Sequence, residues 1–112
     1  MADGRTSEIA APIQRMVDAT NRADSAAFVS AFTENAYLED WGRGFHGHEG
    51  VARWDQSDNI GKRAHFEATG QRREGDDYIV TLVVSGGGFN GTSDIRFQLD
   101  GDLISRMIIS AD

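Results

Sequence analysis

The chain contains no cysteine, which rules out disulfides, a thiolate nucleophile and cysteine-ligated zinc and leaves no mark of the redox state of its compartment. It also lacks any apolar run near the roughly 20 residues that a membrane-spanning helix requires, so no membrane partner is expected. The opening Met-Ala-Asp-Gly-Arg-Thr-Ser-Glu has neither the basic start nor the apolar stretch of a secretory signal, and the cytoplasm is the expected compartment. Basic residues are scarce: eleven lysines and arginines face eighteen aspartates and glutamates, for a formal charge of -7. Such a surface repels phosphate backbones and anionic headgroups unless its cations cluster. The densest groups, Gly61-Lys62-Arg63 and Gln71-Arg72-Arg73, are each followed by acidic residues and read as solvated turns or strand ends. Nucleic acid is therefore not an expected partner.

What is present fits one soluble domain spanning residues 1–112, large enough for a real core, with 39% hydrophobic and 26% charged residues. Thr6 or Ser7 can cap a first helix, with the single proline, Pro12, tolerated in its opening turn. Ile9, Ile13, Met16, Val17 and Thr20 then recur at three and four residues as one apolar stripe. Asp24 can cap a second helix whose buried face would be Ala27, Phe28, Ala31 and Phe32, and His48 to about Ser57 suggests a third, shorter one. From Ala64 the period changes, giving strands over 65–71, 78–85, 92–99 and 103–110. The turn signals Glu74-Gly75-Asp76-Asp77, Ser85 to Gly91 and Asp100-Gly101-Asp102 join them, and connections this short join only antiparallel neighbours. Tyr78 to Val84 and Leu103 to Ile109 are apolar on both faces, which predicts helices on one face of the sheet and part of a second subunit, a homodimer partner, on the other.

The stretch Ala36 to Val51 carries the chemistry. In Leu38-Glu39-Asp40, strand alternation puts Leu38 and Asp40 on one face and Glu39 on the other. A carboxylate at the end of a strand among apolar neighbours is poorly solvated and suited to act as a general base, although it can equally pair with Arg43 or bond the Trp41-Gly42-Arg43 turn. His46 is a strand-end side chain within reach of the pocket as a proton carrier. His46-Gly47-His48-Glu49 offers no third ligand group, so no metal site is expected, and His48 reads as an exposed residue at the helix start. Trp41, Trp54 and Phe66 serve either as packing or as the wall of a cavity for a flat hydrophobic ligand.

The order helix, helix, strand, short helix and antiparallel meander resembles the family of nuclear transport factor 2, in particular its ketosteroid isomerase and SnoaL-like polyketide cyclase branches. The resemblance covers nearly the whole chain. It is carried by Ile13-Gln14-Arg15-Met16-Val17-Asp18-Ala19, by Asn21-Arg22-Ala23-Asp24, by Phe32 to Asp40, by Gly47 ahead of Glu49-Gly50-Val51, and by Phe97 to Leu103. It implies an α+β fold, a cone-shaped, cystatin-like curved antiparallel sheet packed with N-terminal helices around a cavity. It further implies a small hydrophobic ligand and no cofactor, with Asp40 at the place of the isomerase base. Met16, Leu38, Trp41, Trp54, Ser93, Ile95 and Phe97 are the expected pocket residues. The chain departs from the isomerase pattern of a tyrosine and a protonated aspartate as oxyanion donors, since Met16 and Ser93 stand at those places and alternation turns Asp94 outward. The cyclase branch suits the residues better, because a polyketide anion delocalises over its own carbonyls. Two classes stay open: an enzyme abstracting a proton from a hydrophobic carbonyl compound, and a non-catalytic ligand-binding or dimerisation module.

Overall fold

In the computed structural model of the chain, which describes residues 9–110, Pro12 lies in the first turn of helix α1 (Ala11–Asn21), where its missing N–H leaves no bond unmade. Thr6 and Ser7 lie outside the described residues. Ala10 precedes the helix without a capping side chain, and its own amide donates to Gln71 Oε1 at 2.9 Å, which ties the helix start to the sheet. Ile13, Met16, Val17 and Thr20 form the buried stripe of α1, as their spacing predicts. Helix α2 (Ser25–Ser30) is capped by Asp24, whose carboxylate accepts from the Ala27 amide at 3.0 Å. It is shorter than expected. Phe32 opens strand β1 (Phe32–Asp40) instead of extending α2, because it pairs with Ile104 and the Ala31 carbonyl accepts from the Ile104 amide at 2.9 Å. Long-range pairing here overrides the helical spacing of Ala27, Phe28, Ala31 and Phe32.

A short strand follows, ending at His46 as expected. β2 (Arg43–His46) folds back on β1 through the two residues Trp41 and Gly42, both left-handed at φ 50° and 86°, the signature of a tight hairpin turn. Helix α3 (Gly47–Asp58) comes next, close to its expected span. Gly50 is required there, since a Cβ would come within 2.8 Å of the Phe45 backbone and hold the helix off the hairpin. After a short 3-10 turn (Ile60–Lys62), strands β3 (His65–Glu74), β4 (Asp77–Ser85), β5 (Gly91–Asp100) and β6 (Leu103–Ile109) form the predicted meander.

The sheet order is β2-β1-β6-β5-β4-β3, with β1 and β6 parallel and every other pair antiparallel. The result is a curved, unclosed mixed sheet packed with helices. One face carries Leu38, Val80, Leu82, Phe97 and Met107, all fully buried, with α1 lying over β3 and α3 over β1. Burial of each such side chain stabilises the fold by about 1.5–3 kcal/mol. The other face carries Glu39, Thr81, Asp94, Arg96 and Arg106, which alternate with them. Among the described residues no helix is long and apolar enough to cross a membrane.

Candidate functional site

Toward the β1–β2 hairpin the inner face of the sheet is not filled by helix side chains, and a cavity of about 570 Å³ opens there. That is within the usual range for a small-molecule site. Its deep wall is Trp54, Phe66, Ile95 and Met107, each no more than 4% exposed, while Trp41 and Phe89 stand at its rim more than half exposed. Phe89 is held there by the glycine-rich β4–β5 loop. The Asn90 side chain donates to the Gly86 and Gly88 carbonyls, and the Gly87 amide reaches the Lys62 carbonyl at 2.8 Å.

Asp40 ends β1 beside the turn, paired with Arg43 in β2 and Ile109 in β6, and it lines the cavity with its side chain 16% exposed. Its Oδ2 accepts from two donors, Trp54 Nε1 at 2.8 Å and Arg43 Nη2 at 2.9 Å. The indole is itself fixed by stacking on Phe28, ring centroids 6.0 Å apart. Arg43 also reaches Asp58 through both of its terminal nitrogens, at 3.1 and 3.3 Å, so one half-exposed guanidinium joins two carboxylates at the rim. Partial burial pushes the Asp58 carboxyl up, but the Ser57 hydroxyl at 2.6 Å and the Arg43 cation outweigh it and hold the group below the ordinary aspartate value. Lys62 lines the same rim.

Behind the deep wall, Asp55 is fully buried and accepts from Ser25 Oγ at 2.7 Å, Asn59 Nδ2 at 3.1 Å, Gln56 Nε2 at 3.4 Å and the Ile60 amide at 3.5 Å. Asn59 Nδ2 donates in addition to Thr20 Oγ1 at 3.0 Å. These bonds fasten the end of α3 to α1 and α2, and so fix the helix that carries Trp54.

Of the residues expected in the pocket, the cavity wall includes Asp40, Trp41, Trp54, Ser93 and Ile95. Met16, Leu38 and Phe97 do not line it; all three are fully buried in the core, where α1 covers the sheet and leaves no space. His46 is also elsewhere. The tight turn pairs Asp40 with Arg43 and therefore His46 with Tyr37, so the imidazole lies exposed on the outer face, 4.9 Å from the Tyr37 ring. His48, expected in solvent, is half-buried and bonds the Phe32 carbonyl at 2.7 Å. Ser93 lines the cavity and Asp94 is turned away from it, bonded to Thr81 Oγ1 at 2.6 Å, because the β4–β5 register runs without a bulge. Among the described residues no three histidine, aspartate or glutamate side chains converge as a metal ion would require.

Residues 13–107 match the SnoaL-like domain family. The chain belongs to that family. Among solved structures this SnoaL-like protein is similar to a candidate polyketide cyclase from Sinorhizobium meliloti, with 25% identity over 88% of this chain and 93% of that one and a TM-score of 0.79. The same fold is found in the ketosteroid isomerase of a Mycobacterium species, at 13% identity over 91% of each chain and a TM-score of 0.76. A Mycobacterium tuberculosis protein in complex with estradiol-17beta-hemisuccinate shares it at 14% identity, over 90% of this chain and 91% of that one, with a TM-score of 0.75. No curated protein matches by sequence.

Several wall residues of the SnoaL-like cavity escape sequence reasoning. Met107 and Ile109 could be found by extending the alternation through β6, once β6 is known to lie beside β1. Asp58, Asn59 and Phe89 carry no local signal, since a helix end and a glycine-rich loop place them.

Proposed function

We propose that this SnoaL-like protein is a cofactor-independent enzyme that removes a proton from carbon next to a carbonyl in a small hydrophobic compound, isomerising it or closing it by an aldol-type step. Asp40 is the base. The observation that carries this reading is that Trp54 and Arg43 both bond Oδ2, while Oδ1 has no partner among the described residues of a carboxylate that lines the cavity. The C–H electron pair passes into the enolate, the proton goes to Oδ1, and the acid so formed returns it to the rearranged product. Met16 lies in the core, and Ser93, at the place of the second oxyanion donor, offers only a neutral hydroxyl to the cavity, so more of the developing anion is left to spread over conjugated carbonyls of the substrate. That favours a cyclase-type compound over a simple steroid ketone, although a steroid ester in one protein of this fold supports ligands of similar bulk.

The test is proton exchange. A flat ketone such as β-tetralone in D2O should exchange its acidic C–H faster with the protein, followed by NMR. Asp40→Asn should still bind the ketone but lose the enhancement by a factor on the order of 100 to 10,000. Equal exchange by both proteins would refute the base.

A second reading, a ligand-binding module, is favoured by one observation: Arg43 pairs with Asp40 and Asp58 as a structural ion-pair cluster would. On that reading Asp40→Asn lowers the melting temperature and changes no reaction. The second subunit is also part of this proposal. It would lie on the outer face of the sheet, which carries exposed Val83 and, further along, Ile79 and Ile108 on either side of Arg96. Light scattering that finds only monomer at tens of micromolar, roughly where an ordinary interface is saturated, would remove it.

A further inference from the structure

Among the described residues three large hydrophobic side chains are exposed, Trp41 at 57%, Phe89 at 52% and Val83 at 36%, and the first two stand at the mouth of one cavity. They come from different segments. Strands β1 and β6 run parallel and β5 runs against them, so the turn that leaves β1 and the loop that enters β5 lie at the same end of the sheet, with the end of β6 between. Two strand spacings, about 10 Å, separate the strands that carry the two rings. That is the reach of a fused-ring system and not of a single ring.

Each ring is held in place at some expense to the chain around it. Trp41 and Gly42 form a two-residue hairpin turn with φ 50° and 86°. Asn-Gly is the pair such a turn favours, because asparagine tolerates the left-handed region and a bulky side chain does not. A tryptophan is therefore kept where its backbone is disfavoured, and its exposed ring recovers little through packing. Phe89 is presented by a loop that Asn90 clasps: the Gly86 amide donates to Asn90 Oδ1 at 3.1 Å, and Asn90 Nδ2 donates to the Gly86 and Gly88 carbonyls at 2.9 and 3.1 Å. Its ring rests against Gly91, where a Cβ would come within 3.0 Å of Cζ and push the ring aside.

We infer that Trp41 and Phe89 are a specificity-determining aromatic pair at the cavity mouth, which receives the outer end of a planar, fused-ring ligand; this rests on the reading that the cavity takes a small hydrophobic compound. A flat conjugated body covers two fixed ring faces on binding, whereas an aliphatic chain or a twisted skeleton covers less of either. Arg43, Asp58 and Lys62 share the rim, so the two rings form no broad apolar patch of the kind a protein partner covers. The substrate class is a polycyclic conjugated carbonyl compound, with its inner end against Trp54 and Phe66 and its outer rings at Trp41 and Phe89.

The experiment compares 9-fluorenone, which is flat, with benzophenone, which has the same number of carbons and the same carbonyl but twisted rings, each titrated against the whole chain by NMR. Fluorenone should bind roughly threefold to tenfold more tightly, the range of an aromatic stacking contact. Trp41→Asn and Phe89→Leu should each reduce that preference, and Trp41→Asn should at the same time raise the melting temperature by a few degrees, since it relieves the turn. A purely structural tryptophan would instead lower it. In the wild type, fluorenone should shift the Trp41 indole and Phe89 ring resonances by ring current, which reads the contact without any variant. Equal binding of the two ketones, a preference that survives both substitutions, or shifts confined to Trp54 would overturn the inference and leave the cavity reading intact. Broadening of both mouth rings with protein concentration alone would assign them to a second copy and overturn it too. If neither ketone binds, the cavity reading falls and the inference falls with it.

Discussion

The two faces of the sheet are built from the same strands by alternate residues, yet they handle charge in opposite ways. On the outer face Arg72, Glu74, Asp77, Asp94 and Arg96 form a lattice of exposed ion pairs, with Arg96 reaching Asp77 at 2.7 Å and Glu74 at 2.9 Å. The Arg96 hydrogen bonds hold both carboxyls below their ordinary values. Each group there has several partners and open water, so no single one is decisive. On the inner side polar groups are few, and Asp40 and Asp55 are each held by a defined set of donors. Charge on the outside is a collective surface property, whereas on the inside it belongs to individual groups such as Asp40 and Asp55.

The neighbours Leu38 and Glu39 break that comparison most directly. Leu38→Ala removes a fully buried inner side chain and should lower stability by about 2–5 kcal/mol in urea unfolding, while Glu39→Ala should stay within about 0.5 kcal/mol. A smaller effect is expected from Trp54→Phe, which keeps one aromatic ring but removes the pyrrole ring and the N–H that holds Asp40 Oδ2. Proton exchange on a bound ketone should slow roughly tenfold to a hundredfold through lost orientation of the carboxylate, and unfolding should register about 1–2 kcal/mol. The smallest effect belongs to Arg96→Ala. Because the folded-state values of Glu74 and Asp77 are depressed, the stability they contribute is present above their unfolded values and is lost as pH falls below about 4. The wild type should therefore be slightly the more stable at neutral pH, and the difference should close on acidification and in high salt, as thermal melts would record.

Much of this arrangement can be read from the sequence where period alone decides it. Alternation places Leu38 with Asp40 and Ser93 opposite Asp94, and the short turns Gly75-Asp76 and Gly101-Asp102 impose the meander. What escapes is what depends on distant partners. Phe32 fits the spacing of α2 and becomes a strand residue only because Ile104 is there to pair with it. The Trp41-Gly42-Arg43 turn and a strand ending at His46 are legible, but the two-residue register that sends His46 outward is not, because Trp41 is an unusual residue for a left-handed turn position. Met16 and Phe97 have the right faces for a cavity, but whether helix α1 fills the space beside them is a packing outcome that no local pattern encodes.

The parallel pairing of β1 with β6 has a kinetic consequence. The β3–β6 meander closes through short loops and can form early, whereas β1 must wait for a strand at the far end of the fold before Phe32 meets Ile104 and Asp40 meets Ile109. The Trp41 amide, which donates to the Ile109 carbonyl at 2.9 Å, is made at the same closure. A folding chain can therefore hold helices and most of its sheet while the mouth of the cavity is still open. Local opening at the β1–β6 seam would separate Asp40 from the strands that position it and leave the meander standing, so hydrogen exchange should find the amides around Trp41 less protected than those of β4 and β5.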